Sequence, residues 1–570
     1  MFSIPKIFEG KPDHPLFDVK EAKRRLAELP KDNAFKALEE ITSWLDSVKD
    51  APGFRPDVRS EIIMLLDEAG QPLYAWLLHL YLGAPHLQDF SGKHMWQGLH
   101  RFMKTLAEAY SGYIHKHRRA GKKSLDRNKR MPVICVRLLR SVAEQMKLQM
   151  MHYSDIEQSV WERLGRCYQF AEANQFTESM VFAYPKQEQS AYAPRIELAE
   201  SLVFAYQKQV IHISPQRELL RALMLYESSP STLAPDQIEL SFRIVGRMVS
   251  FFDFKNAPDP ECAFFFDLAK PNAPRRMDEN IQPTPTMRFF GAYKAVPKIA
   301  HIIAQHEQGL TQQEQRFGSE FTPAGKLTVL RHMKLYLGED QPRRHQERRG
   351  INTAIDVVHS FQTISRLVAL MDIDNAVNIS EEDAAALKER SDINLAADND
   401  EVDYSTEKWT VSDASVDGIG GIIPNHGGDW VKIGDLCGLK TENNTTWWVG
   451  VIRRLHTDPK DEVHVGIEIL AKNPLSVWLR TLGKGTEKVS NWETSSGSFE
   501  YDYLPAILLP DASNSYANAT ILMESGSYVA ETIYQVMLGE KSRDIKLADL
   551  LAEGEDYEQI SFRWLNAGQS

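Results

Sequence analysis

Seven residues have types and spacing suited to holding an anionic, hydrogen-bonding ligand: Arg343, Arg344, Arg348, Arg349, Asp413, Ser415 and Gly418. Arg344-His345-Gln346-Glu347-Arg348 reads R-x-x-x-R, and with its flanks Arg343 and Arg349 the run holds four arginines against one Glu. A guanidinium pairs bidentately with phosphate oxygens or with the O6/N7 edge of guanine, and its plane stacks on an aromatic face. Lysine, a point charge, cannot replace it at a bidentate contact. Asp413-Ala414-Ser415-Val416-Asp417-Gly418 reads D-x-S-x-x-G. Its carboxylate accepts hydrogen bonds and its hydroxyl donates or accepts. Its glycine permits a positive φ and a close backbone approach. The same residues also spell an ordinary turn, because Asp and Ser satisfy their own backbone and Gly ends many strands.

The two runs belong to different local patterns. A chain of 570 residues exceeds the roughly 250–300 at which a single core stops growing, so more than one domain is expected. Residues 1–338 repeat apolar side chains at spacings of three and four, as in NAFKALEEITSWLDSV and RLLRSVAEQMKLQMMHY. This predicts an all-α bundle or array, either one unit or two with a break near 116–130. From residue 408 the segments become short and rich in Val, Ile and Trp, with Gly, Asn, Asp and Pro between them. That pattern predicts an antiparallel sheet or small barrel over 341–475, with INTAIDVVHSF (Ile351–Phe361) as its first strand.

Residues 362–407 read as an insertion looping out of the barrel, with a helix around Ile364–Leu370 and a second from Ser380, where Ser-Glu-Glu-Asp offers a cap. Strand signals continue over 476–570, which is either a β-rich extension or a second barrel, with a short helix expected at DIKLADLLAEG. The fold class is α+β multidomain.

Composition excludes several functions. With 66 basic and 78 acidic residues the net charge is −12, which argues against general affinity for nucleic acid or acidic membranes. The four cysteines form no CxxC, so each reads as a small buried hydrophobe and not a metal ligand. His301 and His306, five apart in a helical stretch, do not share a face as a zinc pair would. The chain contains no G-x-S-x-G and no P-loop, so neither an enzyme nor a cofactor is expected. The most apolar stretch, PLYAWLLHLYLG, is shorter than the about 20 residues a bilayer requires, and the first residues lack a signal-peptide pattern, so a cytoplasmic protein is expected.

Four other patterns are read structurally. KHRRAGKKSLDRNKR reads as a solvated interhelical loop. VWERLGRCYQF has the W-x2-L-G-x2-Y spacing of a tetratricopeptide helix without the rest of that repeat, leaving true repeats or an irregular bundle. R-x-x-x-R recurs at Arg217–Arg221 and Arg243–Arg247, in apolar-periodic helices, and is read there as exposed helix-face arginines.

The arginine run before a first strand, followed by D-x-S-x-x-G at a strand end, resembles the PilZ domain, the bacterial receptor module for cyclic di-GMP. The resemblance covers 341–475, roughly a quarter of the chain. It implies that the arginines clamp cyclic di-GMP and that Asp413 accepts from guanine N1–H and N2–H2. Ser415 would meet a base edge or phosphate, and Gly418 would supply a positive-φ turn. Arg348 and Asp413 lie 65 residues apart, wider than is usual in the family. Looping out 362–407 would absorb the difference at little closure entropy. The implied function is a cytoplasmic receptor signalling through the helical half, where a protein partner is expected. The alternative is a scaffold whose barrel has lost its ligand.

Overall fold

The computed structural model describes residues 12–83, 90–120, 130–184, 212–278, 281–309, 317–318, 320–339, 349–375, 406–424, 428, 430–441, 446–460, 462–481, 503–511, 515–538 and 541–565. They form two compact units, Met1–Arg343 and Arg344–Ser570.

The described residues of the first unit contain helices α1 (Val19–Ala27), α2 (Ala34–Asp50), α3 (Pro56–Leu82), α4 (Phe90–Ala120) and α5 (Met131–Met151). Then come α6 (Gln158–Ala173), α7 (Pro215–Glu227), α8 (Pro235–Met248), α9 (Ala295–Glu307) and α10 (Pro323–Leu337). Asp18, Asn33, Ser214 and Thr322 cap four of them, each side chain accepting a first-turn N–H. Helix α5 is the axis, buried along almost its whole length and packed by α4, α6, α7 and α8. Its charges are paired, as burial demands. Lys147 meets Glu144 and Glu239, each at 2.6 Å, and Arg140 meets Glu218 at 2.5 Å.

The helical arginine pairs are not all exposed, as expected above. Arg221 is 3% exposed with its guanidinium 3.7 Å from the Phe242 ring centroid. Arg243 bonds Glu239 at 2.8 Å and Glu320 at 2.6 Å. Acids one turn away or on a neighbouring element let Arg221 be buried and Arg243 half-buried.

The expectation of an all-α region over 1–338 is also corrected. Strands β1 (Asp253–Lys255), β2 (Phe264–Asp267), β3 (Arg275–Arg276) and β4 (Met287–Gly291) form a four-stranded sheet in the order β1-β4-β2-β3. FFFD and MRFFG are aromatic runs too short for a helix, and Phe264, Phe266, Phe289 and Phe290 are buried in it. The W-x2-L-G-x2-Y face of α6 receives this sheet. Trp161 lies 6.1 Å from Phe266 and Tyr168 5.5 Å from Phe254, measured between ring centroids. A Cβ on Gly165 would stand 2.3 Å from the Leu268 carbonyl oxygen, so glycine is what lets the strand end lie on the helix.

The second unit contains two closed six-stranded barrels. The first comprises β5 (Arg349–His359), β6 (Glu407–Ala414), β7 (Gly418–Ile423), β8 (Leu436–Thr441), β9 (Trp448–Thr457) and β10 (Val463–Ala471), ordered β10-β7-β6-β5-β8-β9. The second comprises β11 (Leu475–Thr481), β12 (Tyr503–Leu509), β13 (Thr520–Glu524), β14 (Ile533–Leu538), β15 (Lys541–Glu553) and β16 (Tyr557–Trp564), ordered β11-β12-β13-β16-β15-β14. The helix expected at DIKLADLLAEG is strand β15. Ile545 and Leu547, two apart, point into the barrel with no exposure, while Leu550 and Leu551 lie outside beyond a bulge. Pairing with β14 and β16 overrides the local helix propensity.

The start of the expected insertion does not loop out. Residues Phe361–Asn375 form helix α11, and Phe361, Ile364 and Val368 enter one core with Val449 and Val451 of the first barrel and Ile507, Leu509 and Leu522 of the second. Asp556, in the β15–β16 turn, accepts the Phe361 N–H at 2.5 Å and so caps α11 from the second barrel. The helix expected from Ser380 lies outside the described residues.

Candidate functional site

Of the arginine run only Arg349 is described; Arg343, Arg344 and Arg348 lie outside the described residues. Arg349 begins β5, is exposed and sits opposite Ala414, while the next residue, Gly350, sits opposite Asp413. The β5 strand that follows the arginine run is therefore the direct neighbour of the D-x-S-x-x-G strand. Both strands are irregular there, with register shifts between Gly350 and Thr353 on β5 and between Val411 and Asp413 on β6. A bulge re-aims the side chain that follows it. Trp409 and Val411 point inward, and the extra residue turns Asp413 to the outside.

Glycine 420, opposite Asp413 on β7, shows where the carboxylate lies. A Cβ on Gly420 would stand 2.7 Å from both Oδ1 and Oδ2 of Asp413. The neighbouring Gly421 faces Val465 and Trp409 in the core, so Gly420 and the carboxylate over it face outward. The row continues across the sheet, with Gly466 of β10 opposite Gly420 and Arg454 of β9 opposite Gly466. From β5 to β9 it reads Gly350, Asp413, Gly420, Gly466, Arg454. Three strand spacings of about 4.8 Å separate Asp413 from Arg454, a span of about 14 Å. Between these two charges the row carries no side chain of its own: Gly420 is buried beneath the Asp413 carboxylate and Gly466 is half-buried beside Arg454. Arg454 is exposed and has no acidic partner among the described residues, whereas its neighbour Arg453 bonds Glu468 at 2.6 Å.

The other two motif residues act in the turn. The Ser415 N–H and hydroxyl both donate to the Gly418 carbonyl, at 2.8 and 3.3 Å, which closes the β6–β7 connection and leaves the hydroxyl lone pairs as acceptors. Gly418 does not take the positive φ expected of it. It is needed for clearance: a Cβ there would stand 3.0 Å from the Ile467 carbonyl oxygen of β10.

A second carboxylate on β6 has a structural role. Glu407 accepts from the indoles of Trp409 and Trp430, at 2.8 and 2.9 Å, and from the Gly428 N–H at 3.1 Å. Elsewhere in this unit, burial pushes the Asp435 carboxyl up to about 7, against the opposing pull of the Lys432 N–H and charge.

Sequence reading missed Gly350, Gly420, Gly466 and Arg454. The signal was present in GIGGII and VHVGIEIL, but only the register shows which glycines face out and which strands they border.

Three family models match the chain in consecutive order. The N-terminal domain of the cyclic-di-GMP receptor FimW matches residues 20–259, its middle PilZ domain residues 321–474, and its C-terminal beta-barrel domain residues 493–565. No curated protein and no solved structure matches the chain. Among the described residues no helix is long and apolar enough to cross a membrane.

Proposed function

Because the chain belongs to the family of the cyclic-di-GMP receptor FimW, with that family's helical, PilZ and C-terminal barrel regions in order, we propose that it binds cyclic di-GMP on the outer face of its first barrel. It is a receptor and not an enzyme. The observation that carries the reading is the outward Asp413 carboxylate lying over Gly420 at one end of a row of glycines. A guanine presents N1–H and N2–H2 side by side, a donor pair that a single carboxylate accepts. With the carboxylate seated over Gly420 and no side chain at Gly466, a flat base can lie beside that carboxylate. Arg454, at the far end of the row, is available to a phosphate or to the second guanine.

The arginine run precedes a strand whose first residues pair with Ala414 and Asp413, so Arg344 and Arg348 need to span only a few residues to reach a ligand there. They supply the clamp: bidentate contacts to phosphate and to guanine O6/N7, or a plane stacked on a base. Arg343 and Arg349 add positive charge. Ser415, already holding the turn, offers acceptor lone pairs at its rim. Signalling runs to a protein partner through the helical half in the cytoplasm. It requires the ligand to favour one arrangement of the chain over another, since equal binding to both shifts nothing.

Calorimetric titration of the full chain tests this. Cyclic di-GMP should bind, while cyclic di-AMP should bind far more weakly because adenine lacks the N1–H/N2–H2 pair, and GTP because it brings a single guanine and no second base or bridging phosphate for the arginines to clamp. Asp413→Ala, Arg344→Ala and Arg348→Ala should abolish the heat with the circular dichroism spectrum unchanged. Arg454→Ala should cost about 1 kcal/mol of binding, as for one exposed charge-assisted contact. No heat from the folded wild-type chain at high concentration would overturn the proposal.

A further inference from the structure

The hairpin joining β9 to β10 has the sequence His456-Thr457-Asp458-Pro459-Lys460-Asp461-Glu462-Val463-His464. Its spelling is symmetric about the turn, H-x-D then E-x-H. The ladder places His456 opposite His464, and the Asp458 N–H donates to the Glu462 carbonyl at 3.0 Å. Because strand side chains alternate with period two, His456 with Asp458 and Glu462 with His464 form a two-by-two grid on one face. The donor atoms of Asp458, Glu462 and His464 all lie within 4.8 Å of one another, and all three residues are half-buried. The two imidazole centroids are 5.9 Å apart.

The Asp458 carboxylate is oriented by the backbone. Its Oδ1 accepts the N–H groups of Lys460 and Glu462, at 2.8 and 2.9 Å. Its other oxygen, Oδ2, stands 3.9 Å from His464 Nε2. Outer hydrogen bonds that fix a ligand's orientation are a regular feature of metal sites. Zinc–oxygen and zinc–nitrogen bonds are each about 2.0–2.2 Å, which gives a tetrahedral ligand separation of about 3.4 Å. Bringing Oδ2 and Nε2 to that separation requires side-chain movement of about half an ångström.

A simple His464–Asp458 ion pair would need one acid and one imidazole. The grid gathers two acids and two imidazoles on the same side of one hairpin. The mixed nitrogen and oxygen set, without thiolate, suits Zn2+ and its neighbours Co2+ and Ni2+ over Ca2+, which takes six to eight oxygens.

We propose that the tip of the β9–β10 hairpin is a transition-metal site, with Asp458, Glu462 and His464 as ligands and His456 as the fourth. The ion cross-links two strands of the first barrel. It sits on the outer face of β10, two residues along from Gly466, and its binding does not depend on the dinucleotide reading.

The test uses the full chain, stripped with a chelator and titrated with Zn2+ by calorimetry and with Co2+ by visible absorption. One equivalent of each should bind, with the d–d absorption of a four- or five-coordinate cobalt ion and a raised melting temperature. His464→Ala and Glu462→Gln should weaken binding by about 100-fold, the upper end of the range for a perturbed metal site. Neither substituted side chain makes the bonds that hold Asp458, which come from the backbone of Lys460 and Glu462, so circular dichroism should be unchanged in both. Two results would overturn the proposal. One is absence of stoichiometric binding by the folded chain. The other is binding that persists unchanged in both variants, which would assign the ion to other histidines.

Discussion

The two barrels close six antiparallel strands each, yet they are built from different residues. The strands of the first contain Gly350, Gly418, Gly420, Gly421, Gly438, Gly450 and Gly466; the strands of the second contain no glycine. Glycine in a strand interior costs roughly 0.5–1 kcal/mol relative to alanine, so each one implies a local need. Some of those needs are internal. A Cβ on Gly438 would meet Val358 and Ile364, and one on Gly450 would meet Ile467, so these glycines make room for α11 and the core. Gly350, Gly420 and Gly466 face outward, and the missing side chain at Gly420 is what lets the Asp413 carboxylate lie over that strand. The second barrel has filled its strands, packs its interior with Ala506, Leu508, Ile521, Met523, Ile545 and Leu547, and lends its outer face to the shared core through Ile507, Leu509 and Leu522. Equal topology thus divides into one barrel that keeps a surface open and one that buttresses it.

That division can be broken from either side. Leu522→Ala, in the second barrel, should destabilise the unit by about 2–5 kcal/mol, because Leu522 has no exposure. If the barrels share one core, hydrogen exchange should show strands of the first barrel losing protection together with those of the second. Protection lost in the second barrel alone would show that the two unfold separately.

Gly420→Val makes the outer face of the first barrel resemble the second. The added carbons would displace the Asp413 carboxylate. Cyclic di-GMP binding should fall by up to about 3 kcal/mol, roughly a hundredfold, as for loss of a good bidentate base contact. The melting temperature should hold or rise, since a β-branched residue suits a strand.

A smaller effect concerns pH. The folded Asp435 carboxyl is raised to about 7 by burial, with Lys432, Glu555 and Asp556 as its charged neighbours. The folded state therefore holds this proton more tightly than the unfolded state does. The contribution is fully present below the ordinary carboxylate range and is lost as pH rises from about 4 to about 7. Asp435→Asn should flatten that part of the profile by a value on the order of 2 kcal/mol in denaturant titrations at pH 5 and pH 8. An unchanged slope would place the titrating group elsewhere, with Glu227 of the first unit, also raised to about 7 by burial, next to be tested.

Much of the fold was legible because periodicity reports burial locally. Apolar spacings of three and four marked α2 and α5, and alternation marked β5 and β10. The failures share a cause. FFFD and MRFFG are strands because α6 offers them a face, DIKLADLLAEG is a strand because β14 and β16 pair with it, and α11 joins the core because two barrels meet over it. Arg221 is buried and Arg243 half-buried because acids reach them, Glu320 of Arg243 from far along the chain.

Sequence alone determined which residue types stand in R-x-x-x-R and D-x-S-x-x-G, their order, and the change from helical to strand period between them. Those are local quantities, carried by neighbouring residues. Tertiary structure decided that a bulge turns Asp413 outward, that Gly420 and Gly466 continue its row to Arg454, and that Gly418 is required for clearance and not for a positive φ. It also placed His456 opposite His464 across the hairpin. Each of these depends on the register of strands closing a barrel, and register is set only when side chains from distant segments find the same core.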